Sequence, residues 1–356
     1  MSYYILPKII HNIIVNPSYS NEMCSIYISC SLVNSYSLIK QQMNDMFIDD
    51  YDLSDNYFDF ASNLIHPYEF IFSKVPGSKF SVSKLKPKSN IFYDLIEVSN
   101  NLNIFDSFKI IHPMKFLHVT NNYNISIECF EMFRDNFPDE HLYFEKFNLD
   151  DNTLCEIKFD FLFYETIPYD YFTSFIYSII IILKNQKKNG TSIIKISDIH
   201  YKPVVDILYL LSSLYEKVYI CKPNTNNIVE MDRYIVCKNF LHGEESNNYL
   251  KLNYLKLIIF LKKIEEKNII SILDFNIPYF YKNKIDDINI IIGQQQLEAL
   301  NQIIGIYKNK NKNDKIENIK KNNIQKSISW CEKYKIPCNK FAEKINIFLP
   351  LNTEIT

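Results

Sequence analysis

Short apolar runs alternate with longer amphipathic stretches through the middle of the chain. Six runs of five to nine residues, rich in β-branched and aromatic side chains, have the length and composition of buried strands. They cover residues 115–119, 142–147, 159–165, 192–197, 217–223 and 232–240. Helical periodicity is clearest over 169–187 and 203–215, and helices of that length can connect parallel strands. The pattern therefore predicts an α/β core with a largely parallel sheet.

The last two predicted strands are joined by a polar segment, 224–231, that is too short for a helical crossover. We expect them to form an antiparallel hairpin at one edge of the sheet. A mostly parallel sheet with one antiparallel edge hairpin is the Rossmann-like plan of the S-adenosylmethionine-dependent methyltransferases. This fold is expected over 76–242, after an N-terminal extension (1–75) and before a helical C-terminal region (243–356).

Composition excludes several classes of function. Lys plus Arg is 39 against 41 Asp plus Glu, so contact with a nucleic acid must be local rather than spread over a basic surface. The five glycines leave 78–189 without any, which excludes a Gly-rich phosphate loop there. The eight cysteines lack zinc spacing, so we expect no metal site. Without a signal sequence or a sufficiently long apolar stretch, we expect a soluble intracellular protein.

Several motifs follow one another in the segment 189–240. They are Asn189-Gly190 followed by Lys195, then Lys222-Pro223, and then the run Asp232-Arg233-Tyr234-Ile235-Val236. This order resembles the C-terminal half of the FtsJ-like RNA ribose 2′-O-methyltransferases, where GGxxVxK, KP and E-x-Y-x-V occur in that sequence. Residues 76–98 resemble the family's SRAxxKLxEI helix, especially as seen in large DNA viruses. The resemblance covers residues 76–242.

The resemblance implies a catalytic tetrad of Lys, Asp, Lys and Glu, in which a lysine orients the ribose hydroxyl and assists its deprotonation. By position, the second lysine is Lys195, while Asp232 replaces the glutamate and Glu165 replaces the aspartate. Asp94 stands in place of the first lysine, which reverses the charge. One lysine facing three carboxylates would have a raised pKa and would be a poor general base.

The family's cofactor loop follows the first strand and is rich in glycine, because the backbone passes close to S-adenosylmethionine. The corresponding positions here are His118, Thr120, Asn121, Asn122, Tyr123 and Asn124. None of them is glycine, so the loop is expected to be degenerate. The resemblance implies S-adenosylmethionine as the cofactor if the site is active, and no cofactor if it is not.

Lysines mark the surface that follows RNA phosphates in this family. Lys84, Lys86 and Lys88 precede the predicted helix that begins near residue 89, and Lys222 ends a strand. Such a run is ordinarily a solvated loop, and Lys195 by itself could be an edge-strand lysine. The Lys/Asn-rich segment 307–326 is either a solvated helix face or a local polyanion contact.

Together these features favour a degenerate FtsJ-like 2′-O-methyltransferase that binds RNA or serves as a scaffold or partner subunit. Its setting would be a viral capping, transcription or virion assembly. The first alternative is an active mRNA cap 2′-O-methyltransferase with Lys195 as the base and the Asn-rich loop binding the cofactor. The second is a structural interaction protein that binds no RNA. We expect no membrane contact and a cytoplasmic location, in the viral factory or virion for a viral protein.

Overall fold

The computed structural model describes residues 2–48, 57–110, 113–121, 123–134, 137–145, 157–243, 246–264, 267–309 and 313–339. The strands in chain order are β1 (Ser2–Ile5), β2 (Ser18–Ser20), β3 (Lys115–Val119), β4 (Glu140–Phe144), β5 (Phe159–Glu165), β6 (Gln186–Ile196), β7 (Tyr215–Lys222), β8 (Arg233–Phe240) and β9 (Asn268–Ser271). The helices are α1 (Cys30–Ile48), α2 (Tyr57–Ile65), α3 (Ile91–Asn101), α4 (Tyr123–Phe133), α5 (Tyr171–Asn185), α6 (Lys202–Leu214), α7 (Asn247–Lys263), α8 (Tyr279–Lys308) and α9 (Asn313–Lys333).

Within the described residues, seven strands form the main sheet in the order β1-β7-β8-β6-β5-β3-β4. The neighbours β4, β3, β5 and β6 are parallel, whereas β8 is antiparallel to both β6 and β7. The predicted α/β methyltransferase fold with its antiparallel hairpin is therefore confirmed, but the expectation that the hairpin forms an edge of the sheet is wrong. The structure adds β1, which pairs antiparallel with β7 and lies outside the hairpin.

The central strands form because both of their faces are buried. In β5, Phe161 and Phe163 face one core, while Leu162 and Tyr164 face the other, as the two-residue period of a strand requires. The first core lies under α5, α6 and the N-terminal segment, and the second lies under α3, α4 and the end of α9. The result is a three-layer arrangement with helices on both faces of the sheet.

The regions outside the predicted methyltransferase-type domain pack on it. In the N-terminal region, Leu6, Ile9 and Val15 are buried in the first core. Trp330 of α9 packs edge-on against Tyr93 in the second core. A third apolar cluster joins α1, α2, α8 and α9. None of the described helices combines the length and apolar character needed to cross a membrane.

The start of β6 contains a glycine that no larger residue can replace without cost. A Cβ at Gly190 would lie 1.9 Å from the Gln186 side-chain nitrogen and 2.8 Å from the backbone oxygens of Asp160 and Lys187. In contrast, a Cβ at Gly305 in α8 would lie more than 4 Å from every described atom except those of its chain neighbours and of the nearby backbone of its own helix. The two glycines therefore have opposite packing requirements.

We expect Gly190→Ala to lower the free energy of unfolding by about 2 kcal/mol, because backbone oxygens must move to admit the methyl group. The matched control, Gly305→Ala, should raise it by about 0.5–1 kcal/mol, since alanine is the better helix former. Urea unfolding of the three proteins measures both changes. Equal stability of the two variants would contradict the packing described for β6.

Candidate active site

Three polar side chains lie in one row across the sheet. Glu165 at the end of β5 pairs with Lys195 in β6, and Lys195 pairs with Tyr234 in β8. Directly opposed residues project from the same face of a sheet, so these side chains lie side by side. The row is at the carboxyl ends of β5 and β6, the position at which open α/β sheets bind ligands.

The Lys195 ammonium lies between two carboxylates. Its Nζ is 3.0 Å from Glu165 Oε1 and 3.0 Å from Asp232 Oδ2. The second oxygen of Glu165 accepts a hydrogen bond of 2.7 Å from the Thr120 hydroxyl. Burial lowers the pKa of Lys195, but Glu165 and Asp232 raise it by more, and the net shift is upward. The amine is therefore protonated at neutral pH and has no lone pair to accept a proton.

Asp94 is at the fourth tetrad position and is buried in the first turn of α3. Its carboxylate accepts hydrogen bonds from the Thr225 hydroxyl (2.6 Å), the Asn226 side-chain amide (3.0 Å) and the Tyr234 hydroxyl (2.9 Å). Burial raises the pKa of Asp94 to about 6, although these three donors oppose the shift. Asp94 thus joins α3 to the loop between β7 and β8 (residues 223–232, the β7–β8 loop). Through Tyr234 it also joins α3 to the row that contains Lys195.

Lys222 is 6% exposed and lies beneath the β7–β8 loop. Its ammonium donates to four oxygens, which are the Asn226 side-chain oxygen and the backbone carbonyls of Asn227 (3.0 Å), Glu230 (2.7 Å) and Asp232 (2.9 Å). Burial, with a smaller effect from Arg233, lowers the pKa of Lys222 to about 7, against opposing effects of nearby carboxylates. An ammonium has three protons, so these contacts leave no donor for an RNA phosphate.

The other lysines that the sequence analysis assigned to RNA binding lie on the surface. Lys84, Lys86 and Lys88 are exposed on an extended segment before α3, and Leu85 between them is more buried. Lys88 also lines a polar cavity of about 320 Å³, together with Tyr93, Thr225 and Glu230 among others. The last lysine of the triplet therefore lies at a cavity to which the β7–β8 loop contributes part of the wall.

His118, assigned to the cofactor loop by position, is a core residue of β3. It is fully buried, with Nδ1 at 2.8 Å from the Ser126 hydroxyl and Nε2 at 2.9 Å from His141 Nδ1. Burial, with a smaller effect from His141, lowers the pKa of His118 to about 3. The ring is neutral and hydrogen-bonded on both nitrogens, so in this arrangement it does not face a ligand.

The other positions assigned to the cofactor loop lie between the end of β3 and the first residues of α4. Thr120 is buried against Glu165, and Asn121 is exposed. Asn122 lies outside the described residues, and α4 already begins at Tyr123, with Asn124 as its second residue. The described residues do not fit a glycine-lined cradle, since the Thr120 side chain bonds to the site carboxylate where the family passes bare backbone over its cofactor.

Sequence reasoning missed three of the polar residues that complete the site. Tyr234 could have been found, because it follows Asp232 by two residues and a strand places such pairs on one face. Thr225 and Asn226 belong to a polar loop whose contact with α3 has no signal in the local sequence.

Among the residues that the structure describes, no group of three His, Cys, Asp or Glu side chains could hold a metal ion.

No protein-family model matches the chain. Over 132 residues, 36% of its length, the chain is 26% identical to cap-specific mRNA (nucleoside-2′-O-)-methyltransferase 1 of Drosophila melanogaster. That stretch spans only 17% of the Drosophila protein. The chain is therefore similar in sequence to a small part of an RNA methyltransferase.

Two solved structures resemble the chain at low identity. One is described as a ribosomal RNA methyltransferase from Plasmodium falciparum, with 16% identity, 43% of this chain and 98% of that chain covered, and a TM-score of 0.35. The other is phosphoethanolamine N-methyltransferase 2 of Haemonchus contortus in complex with S-adenosyl-L-methionine. Its identity is 10%, the shares covered are 42% of this chain and 38% of that chain, and its TM-score is 0.27.

The raised pKa of Asp94 links stability to pH with a definite sign. When unfolded, the carboxyl ionises near its ordinary value of 3.8, so between about pH 4 and pH 6 the folded protein binds a proton that the unfolded chain does not. This contribution to stability is complete below about pH 4 and is lost as the pH rises through about 6. Lys222, with its pKa near 7, stays largely charged through this interval.

We expect the wild-type protein to lose about 2 kcal/mol of stability relative to Asp94→Asn between about pH 4 and pH 6. The asparagine has the same shape and does not titrate, so it is the matched control. Urea unfolding of both proteins across this range gives the difference. A difference that stays constant with pH would show that Asp94 does not titrate as its burial requires.

Proposed function

We propose that this chain is an RNA-binding protein of the RNA 2′-O-methyltransferase family that has lost methyl transfer. The observation that carries the proposal is the state of the tetrad positions. Lys195 is held between Glu165 and Asp232 at 3.0 Å from each, and a buried carboxylate, Asp94, occupies the position of the other lysine.

Membership of the family is supported by the way residues from separate sequence motifs come together in the structure. The resemblance assigned Glu165, Lys195 and Asp232 to the tetrad from separate motifs, and these residues meet where β5 and β6 end and β8 begins. The similarity to the Drosophila cap-specific methyltransferase agrees with this assignment.

The charge at the site supports the proposed loss of methyl transfer. A lysine that assists deprotonation of a ribose hydroxyl needs a lowered pKa, whereas the carboxylates raise that of Lys195. Lys222 does have a lowered pKa, but its ammonium is bonded to four oxygens inside the β7–β8 loop. The described cofactor-loop residues also do not fit S-adenosylmethionine, because the Thr120 hydroxyl donates a hydrogen bond to Glu165.

RNA binding is the function that the remaining features support. The exposed lysines Lys84, Lys86 and Lys88 lead to the polar cavity beside Thr225 and Glu230. The loop that contributes Thr225 and Glu230 to this cavity also carries Asp232, which contacts Lys195. As a partner subunit in a capping assembly, the chain would hold capped RNA for another, active enzyme.

An active cap 2′-O-methyltransferase is the second candidate function. It is favoured by one observation, the retained contact of Lys195 with two carboxylates at tetrad positions. The two candidates differ in cofactor binding, which can be measured directly.

We expect no heat on titration of the protein with S-adenosylmethionine up to millimolar concentration, and no transfer of a labelled methyl group to capped RNA. The control is a methyltransferase of known activity assayed with the same cofactor and RNA. Saturable binding near micromolar Kd, about −8 kcal/mol, together with methyl transfer abolished by Lys195→Ala, would establish the active enzyme instead.

We expect the protein to bind single-stranded RNA with an affinity that falls steeply with salt. Changing Lys84, Lys86 and Lys88 to Glu should weaken binding at least about tenfold and reduce the log–log salt slope by about 2. The matched control changes three exposed lysines of α7, on the opposite face of the sheet, and should have little effect. These are Lys251, Lys262 and Lys263.

Fluorescence anisotropy of a labelled oligoribonucleotide measures both quantities. Equal affinities of the two triple variants, or an affinity that does not respond to salt, would exclude this RNA surface and leave a protein partner as the ligand.

A further inference from the structure

A groove of about 450 Å³ lies between α8 and α9, with the end of α2 beneath it. Ile65, Ile228 and Ile306 are among its apolar lining residues. Apart from the β7–β8 loop, which contributes Ile228, its walls lie outside the residues that resemble the methyltransferase family. This volume is within the range of pockets that hold small organic ligands.

The polar lining of the groove consists largely of amides and ammonium groups. Lys315 and Lys326 lie 11 residues apart, three turns along α9, and Gln302 and Asn322 line the space near them. One carboxylate, Glu298, also lines it and accepts a hydrogen bond of 3.4 Å from Gln294. The formal charge of the lining is therefore positive.

This combination fits an unpaired nucleotide. A base is planar and buries its faces against apolar groups, while its edge carries donors and acceptors that side-chain amides can match. The phosphates on either side carry negative charge, which lysines neutralise. An anionic ligand with a flat, polar-edged body is thus complementary to the groove in shape and charge.

The groove and the candidate active site share the β7–β8 loop. Ile228 lies in the groove, and Asp232, which contacts Lys195, follows it by four residues, so their Cα atoms are at most about 14 Å apart. Between them, Glu230 lines the polar cavity and its carbonyl accepts a 2.7 Å hydrogen bond from Gln296 of α8. One face of the groove is therefore fixed to the same loop that holds Asp232 in place.

We propose that the α8–α9 groove binds an unpaired nucleotide of the RNA strand whose ribose groups pass the Lys195 site. The proposal rests on the RNA-binding function proposed above and gives that function a second contact, outside the lysine triplet. It assigns the C-terminal helices a role in RNA binding as well as in support of the core.

Gly305 offers a direct test, because it lines the groove and a Cβ there would meet no described side chain within 4 Å apart from its chain neighbours. Gly305→Leu should fill the groove while it leaves charge and fold intact. We expect it to raise the Kd for a single-stranded oligoribonucleotide about fivefold or more without a change in the salt slope. The matched control, Gly305→Ala, leaves most of the space and should bind RNA as the wild type does.

The double variant Lys315→Glu and Lys326→Glu should weaken binding and lower the salt slope by about 1–1.5, as expected for two phosphate contacts. Its control is the charge-matched pair Lys251→Glu and Lys262→Glu on α7. In addition, an oligoribonucleotide that carries 4-thiouridine should crosslink to a peptide within 313–326, and Gly305→Leu should reduce that crosslink. Thermal unfolding of every variant checks that it folds.

The outcomes separate the two proposals. If the Lys84, Lys86 and Lys88 variant loses RNA affinity while both groove variants bind as the wild type and no crosslink forms within 313–326, the groove proposal is wrong and RNA binding stands. A wild-type protein that binds no RNA overturns both. Loss of affinity in the groove variants, with retained affinity in their controls, supports the groove as a nucleotide site.

Discussion

Two buried charges of opposite sign must be compensated within the protein, and one loop compensates both. The Lys222 ammonium and the Asp94 carboxylate are each almost fully excluded from water, and an uncompensated charge in such a place costs several kcal/mol. Residues 224–232 supply most of the partners, with side chains for Asp94 and mainly carbonyls for Lys222. The loop therefore has little freedom to move without exposing one of the charges.

This fixed loop positions the Lys195 partner Asp232, part of the polar cavity wall and one residue of the α8–α9 groove. It holds Asp232 against Lys195, places Thr225 and Glu230 in the wall of the polar cavity, and inserts Ile228 into the α8–α9 groove. The charge pattern also differs from that of the family the sequence resembles. A carboxylate stands on α3 where that family has a lysine, and the compensating cation comes from the end of β7 and points into the loop. The site therefore contains a charged network in which Lys195 is paired with Glu165 and Asp232.

The N-terminal and C-terminal regions are integral to this architecture. β1 covers the hairpin edge that would otherwise expose unpaired backbone groups, and α9 supplies Trp330, whose ring packs on Tyr93 and whose nitrogen donates to Glu97 of α3. The helix that carries Asp94 is thus held both by α9 and by the β7–β8 loop. The packing of these terminal helices creates the α8–α9 groove, which shares the β7–β8 loop with the Lys195 site.

The sequence by itself determined the elements whose signal is local. The apolar runs 115–119 and 159–165 became strands with the predicted bounds, since burial on both faces requires continuous apolar residues. The helical runs 169–187 and 203–215 became α5 and α6 with small shifts at their ends, because helix ends depend on caps and neighbours. The motif order was sufficient to nominate Glu165, Lys195 and Asp232, and the antiparallel hairpin followed from the length of one loop.

Only the tertiary structure decided which charges are buried and what they contact. Lysine is ordinarily exposed, so nothing local indicates that Lys222 lies beneath its own hairpin loop or that Asp94 meets residues more than 130 positions away. The edge strand β1 has four residues, too few for a periodic signal, and it forms because β7 presents an open row of backbone groups. Periodicity reports which face of an element is apolar. The partner of that face is set by packing between distant segments, and this packing placed the loop, the cavity and the groove on one edge of the sheet.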